Sequence, residues 1–256
     1  MIYKNYRFYR GIGWFLLAIL ASCQTVPQPE ANLEDFKIQL DKGEAYLAKG
    51  NAVMALPSLN NALKYQPNNV KILTLLGIAY DQTDRHAQSL AVMKKAHELK
   101  PEDGQINNNL GVSLMRMGEL DTAEIHFKSA LTDLTYATPE DAWLNLALLY
   151  KRRGDGTKKM VEALDNALKY KPSHLPAIME LADVYNKQQQ YELEIKMLLE
   201  AQNLAPDNLT IMKKLADSYI QSENFQQARS ILKKIVAQSP LSEIGKWAAS
   251  QLATSK

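Results

Sequence analysis

Cysteine is nearly missing from this chain: Cys23 is the only one among 256 residues. A single thiol closes no disulfide within the chain. An excess of one charge is missing too. The 30 basic and 28 acidic residues nearly balance, and the first 22 residues hold three of the former and none of the latter. Beyond them the count is 27 against 28, which gives no support to a basic surface for nucleic acid. Long hydrophobic runs are also lacking. The apolar stretch Gly11 to Leu20 falls far short of the ~20 residues a membrane-spanning helix needs. From residue 33 onward no segment alternates as a strand would, and no long Gly/Ser linker interrupts the chain.

Motifs of catalysis are missing as well. The four histidines, His86, His97, His126 and His174, form no His-Glu-x-x-His pattern and read as ordinary, partly exposed side chains. His86 and His97 share one predicted helix but lie too far apart along it to hold one ion. Gly154-Asp155-Gly156 sits in a predicted turn with no strand before it, so it is no phosphate loop. The expectation is a protein without catalytic residues, metal, cofactor or small-molecule substrate.

What is present is a beat. Pro67 and Pro101 are 34 residues apart, Pro172, Pro206 and Pro240 repeat that interval, and the gap from Pro101 to Pro172 is 71. Each proline ends a helix, because it lacks the N–H to continue one and restricts the residue before it. Position eight of the unit carries Gly43, Gly77 and Gly111; position eleven carries Tyr46, Tyr80, Leu114, Tyr150, Tyr185 and Tyr219; position twenty-seven carries Ala62, Ala96, Ala130, Ala167 and Ala201. Small residues recur where two helices must cross closely, with a large one filling the space beside them. The pattern resembles the tetratricopeptide repeat, a helix-turn-helix unit of that length.

The resemblance implies an all-α, right-handed solenoid of six units, at 36–69, 70–103, 104–137, 140–174, 175–208 and 209–242. A capping helix follows at 241–253, with Leu241, Ile244, Ala248 and Leu252 on one side and Trp247 on another. Each unit has apolar stripes that it cannot bury alone, so neighbours stack. The first unit departs from the pattern at Lys42 and at Pro57 inside its second helix.

The N-terminus reads as a secretory signal. Lys4, Arg7 and Arg10 precede the apolar run, and Leu20-Ala21-Ser22-Cys23 follows it. Those four residues resemble the bacterial lipobox, which implies cleavage after residue 22 and lipidation of Cys23; a plain signal followed by an incidental cysteine is the alternative. Gln24, where an aspartate would imply retention at the inner membrane, implies passage to the outer one. Residues 23–32, with Pro27 and Pro29, read as a polar tether, reaching roughly 30 Å at about 3.1 Å per residue.

In such a solenoid the first helix of each unit lines a concave surface. Position six gives Asp41, Leu75, Asn109, Asn145, Glu180 and Lys214, and position thirteen gives Ala48, Gln82, Arg116, Arg152, Lys187 and Gln221. Units three and four thus repeat an Asn/Arg pair two helical turns apart. Asparagine both donates to and accepts from an extended backbone, and arginine or lysine holds a carboxylate. Solvated helix faces also carry cations, but Leu75, Ile78, Val112, Leu148 and Met179 interleave with these residues. That mixture favours a groove for a peptide segment or terminus.

The middle of the chain is more particular. Asn107-Asn108-Asn109-Leu110-Gly111 lies in one first helix; the repeat proline gives way to Thr135; Tyr136-Ala137-Thr138-Pro139 is inserted; Trp143-Leu144-Asn145-Leu146-Ala147 and Lys151-Arg152-Arg153-Gly154-Asp155 follow. With the signal and the six units, this resembles the outer-membrane pilotin lipoproteins of type IV pili, the PilF/PilW and Tgl group. The resemblance implies a non-enzymatic role. A periplasm-facing solenoid, anchored in the outer membrane of a Gram-negative bacterium, binds the secretin subunit and promotes its insertion or multimerisation. The rival reading is a lipoprotein adaptor for peptidoglycan hydrolases or the β-barrel assembly machinery.

Overall fold

The computed structural model describes residues 33–254 as thirteen helices. The signal, Cys23 and the tether therefore lie outside the described residues. Six helix pairs follow one another: α1 (Leu33–Ala48) with α2 (Ala52–Tyr65), α3 (Val70–Asp81) with α4 (His86–Leu99), and α5 (Gly104–Met117) with α6 (Leu120–Ala130). Then come α7 (Pro139–Arg153) with α8 (Thr157–Tyr170), α9 (Leu175–Lys187) with α10 (Tyr191–Leu204), and α11 (Leu209–Gln221) with α12 (Phe225–Gln238). α13 (Glu243–Thr254) closes the described part. Each helix packs chiefly on its sequence neighbours, the arrangement of a solenoid.

Two local devices recur at the repeat length. Where the first helix of each pair ends, the residue at position fifteen takes a left-handed backbone. It is Gly50, Gly118 and Gly154 in three units and Asp84, Gln189 and Glu223 in the others, at φ of 57–60° for the non-glycines. The next residue's N–H then reaches back to the carbonyl of position eleven, from Asn51 to Tyr46 through Asn224 to Tyr219, at 2.8–3.1 Å. This bond satisfies a carbonyl that the helix end leaves open. The second device sits two residues after the repeat proline. Asn69, Asp103 and Asn208 accept from the N–H groups of Ile72, Ile106 and Ile211, and Ser242 does the same for Gly245. The proline stops one helix and its neighbour caps the next.

Within each pair the crossing point is set by position eight. A Cβ placed on Gly43, Gly77 or Gly111 would come within 2.7 Å of Leu59, Met93 or Phe127. In the last three pairs alanine stands there, and Leu164, Leu198 and Leu232 take the place that Met93 and Phe127 hold in the second and third pairs. The alanines of position twenty-seven, Ala62 through Ala201, are all fully buried.

The ends differ from the sequence reading in detail. Lys42 is exposed where the other units bury Leu76, Leu110, Leu146, Leu181 and Leu215. Among the described residues no helix precedes α1 to cover that face, so a leucine there would meet water. α2 runs straight through Pro57, whose ring is on the exposed side. At the other end Leu241 is 85% exposed and precedes the capping helix instead of packing within it. Trp247, expected on a different face, packs with Ile244, Ala248 and Leu252 against the last pair, with Lys213 Nζ 4.3 Å from its ring centroid.

The irregular junction forms a joint. α6 stops at Ala130, and Tyr136, 8% exposed, fills the space between Ala130, Leu131 and Ala142. It lies directly on Gly104, where a Cβ would stand 2.7 Å from the tyrosine Cβ. Burial pushes its phenol up to about 12. Asp133 fixes the loop, accepting from Gly104 N at 2.8 Å through one oxygen and from Thr135 N and Oγ1 through the other.

The joint is clamped at its far end by ions. Arg153 of α7 reaches Asp121 at 2.8 Å and Glu124 at 2.6 Å on α6, and Asp155 in its own turn. Glu124 also accepts from Tyr150 Oη at 3.0 Å and pairs with Lys128 at 2.7 Å. Burial raises the Glu124 pKa, but the bonds from Lys128, Arg153 and Tyr150 outweigh it and hold the group near 2. A carboxyl whose folded pKa lies below its unfolded one stabilises the fold above the unfolded value, and that contribution is lost as pH falls through the folded one. Urea unfolding at pH 7 should show Glu124→Gln less stable than the parent by about 1–3 kcal/mol. The gap should close between pH 4.5 and about 2, and a gap that persists at pH 2 would show that the carboxylate is not the cause.

Candidate peptide-binding groove

Successive first helices approach one another, α1 to α3, α3 to α5 and α5 to α7, so they form the inner layer of the curve. The apolar residues read from the sequence lie there half-buried: Leu75 packs into the first pair's core, and Ile78 and Val112 pack on the central one. Leu148 is half-buried as well. The polar positions around them decide what the face offers.

Most of those polar groups are engaged with the neighbouring helix. Glu44 pairs with Lys71, and Asp183 with Lys214. Glu180 meets Lys151 at 2.7 Å. Asp217 meets Lys213 at 2.8 Å on its own helix, and Asp141 lies 3.2 Å from His174. Asn145 donates to Asn108 Oδ1 at 2.9 Å, and Arg152 gives one N–H to the carbonyl of Met115 at 2.5 Å. Asn109 and Asn145, read as one column, are therefore not paired with each other. Asn108, 5% exposed, is the partner that position in the repeat does not single out. Its only signal is the run of three asparagines.

Three predicted residues keep free donors. Arg116 and Lys187 are exposed, and among the described residues neither forms an ion pair or hydrogen bond. Arg152 has used one of the five donors a guanidinium carries. The three sit in the last turns of α5, α7 and α9, where a cation also favours its own helix's C-terminus. Asn109 accepts from Gln105 at 3.1 Å, and its amide nitrogen is buried without an acceptor. Beside Lys187 a cavity of about 300 Å³ opens between the fourth and fifth pairs, with Tyr150, Met160 and Val184 in its lining and Lys151 and Asp183 at its side.

The structure also assembles polar clusters that the sequence did not reveal. His126 and His97, on α6 and α4, meet edge to face at 5.0 Å between ring centroids. Asn107 donates to the carbonyls of Pro101 and Asp103, so its own oxygen accepts from His126 Nδ1 at 3.0 Å. Burial, then the neighbouring His97, lowers the pKa of His126. His174, expected to be partly exposed, is 6% exposed at the start of α9. Asp81 bonds His86 through one oxygen and Ser113 through the other, and Ser113 is fully buried against Ser89. The hydroxyl meets the carboxylate and not the imidazole, so the three do not form the nucleophile–base pairing of an acyl transferase. Glu194, 3% exposed, takes both oxygens to Asn186 Nδ2 at 3.0 Å. Its signal is a glutamate at position twenty, where other units carry Ala55, Ser89, Ala123 and Ala228.

Family models described as tetratricopeptide repeat match residues 40–104, 175–208 and 214–242. The chain is a tetratricopeptide repeat protein. A solved structure described as PilW, a widely conserved type IV pilus biogenesis factor, superposes with a TM-score of 0.73 at 23% identity, over 84% of this chain and 98% of that one. The structure of pilF from Pseudomonas aeruginosa does so with a TM-score of 0.69 at 17% identity, over 85% and 98%. At these identities the likeness establishes the tetratricopeptide fold alone. Among curated proteins, the general transcriptional corepressor trfA of Dictyostelium discoideum is 24% identical over 41% of this chain. The matched stretch spans only 8% of that protein and 10% of tetratricopeptide repeat protein 37 of Xenopus laevis. Proteins of this superfamily generally act as scaffolds that bind other proteins.

Proposed function

We propose that this tetratricopeptide protein is an outer-membrane lipoprotein that binds a protein partner in type IV pilus biogenesis and assists assembly of the secretin. The observation that supports it best is the extent of the likeness to PilW, which takes in 98% of that chain and most of this one. A match confined to a few repeats would speak only for the repeat. The lipobox-like sequence ending at Cys23 adds an anchor to the reading. A cleaved, lipidated cysteine with more than one acyl chain holds a protein stably on a membrane, whereas one chain is marginal.

Deleting the gene should abolish SDS-resistant secretin multimers and twitching motility, and wild-type levels of both would sink the pilus assignment. Cys23→Ala should abolish labelling by an alkyne palmitate analogue and leave the chain uncleaved. Labelling that survives the substitution would remove the anchor from the proposal.

A further inference from the structure

The inner face is unevenly neutralised. Along α3, α5, α7, α9 and α11, the acidic side chains Glu180, Asp183 and Asp217 each pair with a lysine, while Asp81 meets Ser113 and His86 and Asp141 meets His174. Arg116 and Lys187 have no partner among the described residues, and Arg152 binds a neutral carbonyl, so its charge is uncompensated. Three cations without a carboxylate thus stand against Asp81 and Asp141, neither of which has a lysine or arginine partner, so the balance of the central groove is positive although the chain beyond residue 22 is close to neutral. Half-buried Val112 and Leu148 lie one turn before Arg116 and Arg152 on the same helices.

We infer that the groove of α5, α7 and α9 takes an extended acidic segment of its protein partner, with carboxylates at Arg116, Arg152 and Lys187. This rests on the scaffold reading above and specifies its ligand. Each cation sits on a different helix, so the carboxylates fall at separate points along the segment instead of converging on one group. Guanidinium groups bind carboxylates in a fork, while an ammonium acts as a point charge. The cavity beside Lys187 has the volume for one apolar side chain of the same segment, packed on Tyr150, Met160 and Val184. An acidic segment with an apolar residue near its end fits this face; a basic segment meets like charge at three successive helices.

The test is a selection from a phage-displayed library of random 12-residue peptides on the full-length protein. Enriched peptides should carry several Asp or Glu residues, and as fluorescent probes they should bind at least tenfold more weakly to Arg116→Glu/Lys187→Glu and in 0.5 M salt. Both residues are exposed and unpaired, so circular dichroism and the unfolding midpoint of the variant should match the parent. Neutral or basic peptides, unchanged affinity in the double variant, or no enrichment would each overturn the inference. The outcome is separable from the pilus assignment. Neutral peptides with a pilus-defective deletion would overturn the acidic ligand alone, while acidic peptides with normal pili would overturn the assignment alone.

Discussion

Phe127→Ala is expected to lower the stability of the array by about 3–5 kcal/mol, the cost of removing a buried aromatic ring from a core that cannot close over it. The ring is fully buried in the central cluster, between Gly111 of its own pair and side chains of the neighbouring units. The same contact is reached from the other side by Gly111→Ala. Its new methyl would stand 2.6 Å from Phe127 Cε1 and 2.7 Å from Cδ1, and a rigid ring in a filled core yields only at about 1–3 kcal/mol. The last three pairs show the remedy, since they set Ala147, Ala182 and Ala216 against Leu164, Leu198 and Leu232. Gly111→Ala combined with Phe127→Leu should therefore be more stable than the sum of the two single changes by about 1 kcal/mol or more. Urea unfolding followed by circular dichroism measures all three, and strict additivity would show that the glycine and the ring are not coupled.

Tyr136→Ala should be the second most damaging change, at about 3 kcal/mol, because it empties the joint between the third and fourth pairs. Its consequence should differ in kind from that of Phe127. A solenoid is held together by interfaces between neighbours, so weakening one divides the array into units that unfold separately. Variants retaining only Trp143, just beyond the joint, or only Trp247, at the capping helix, report on the C-terminal part, while circular dichroism reports on the whole. For Tyr136→Ala the fluorescence and dichroism midpoints should separate; coincident midpoints would mean that the tyrosine does not couple the halves. Gly104→Ala should act in the same direction, since its methyl would meet the tyrosine Cβ and the carbonyl of Ala130.

These two sites show how far the sequence could be read. The beat of prolines and the small residues at positions eight and twenty-seven gave the crossing points, because the same local geometry recurs in every unit and leaves the same trace each time. Gly111 was legible in that sense but its partner was not: the repeat set position eleven, Leu114 in this unit, beside the small residues, whereas the ring that meets Gly111 is Phe127 of the second helix. Tyr136 was legible only as an irregularity: the insertion before Pro139 marked a difference, but not that the tyrosine would pack on Gly104, 32 residues earlier. The turn device at position fifteen leaves no clear trace because only half of its residues are glycine, and Asp84, Gln189 and Glu223 adopt the same backbone.

The groove divides along the same line. Position in the helix placed Asn109, Arg116, Asn145, Arg152 and Lys187 on the first helices, but it could not say which of them the protein itself uses. Asn145 turned to Asn108 and Arg152 to the carbonyl of Met115, while Arg116 and Lys187 stayed free. The cluster of His97, His126 and Asn107 depends on three helices of two units, and no spacing within one helix foretells it.

By itself, the sequence determined the helices, their order, the six pairs and the faces they bury, since these follow from helical periodicity, proline stops and steric size repeated along the chain. Only the tertiary structure decided which polar side chains are consumed between neighbours and which charges remain uncompensated. Those pairings join residues about a repeat apart, and a shift of one or two ångströms in how adjacent helices stack makes or breaks a hydrogen bond.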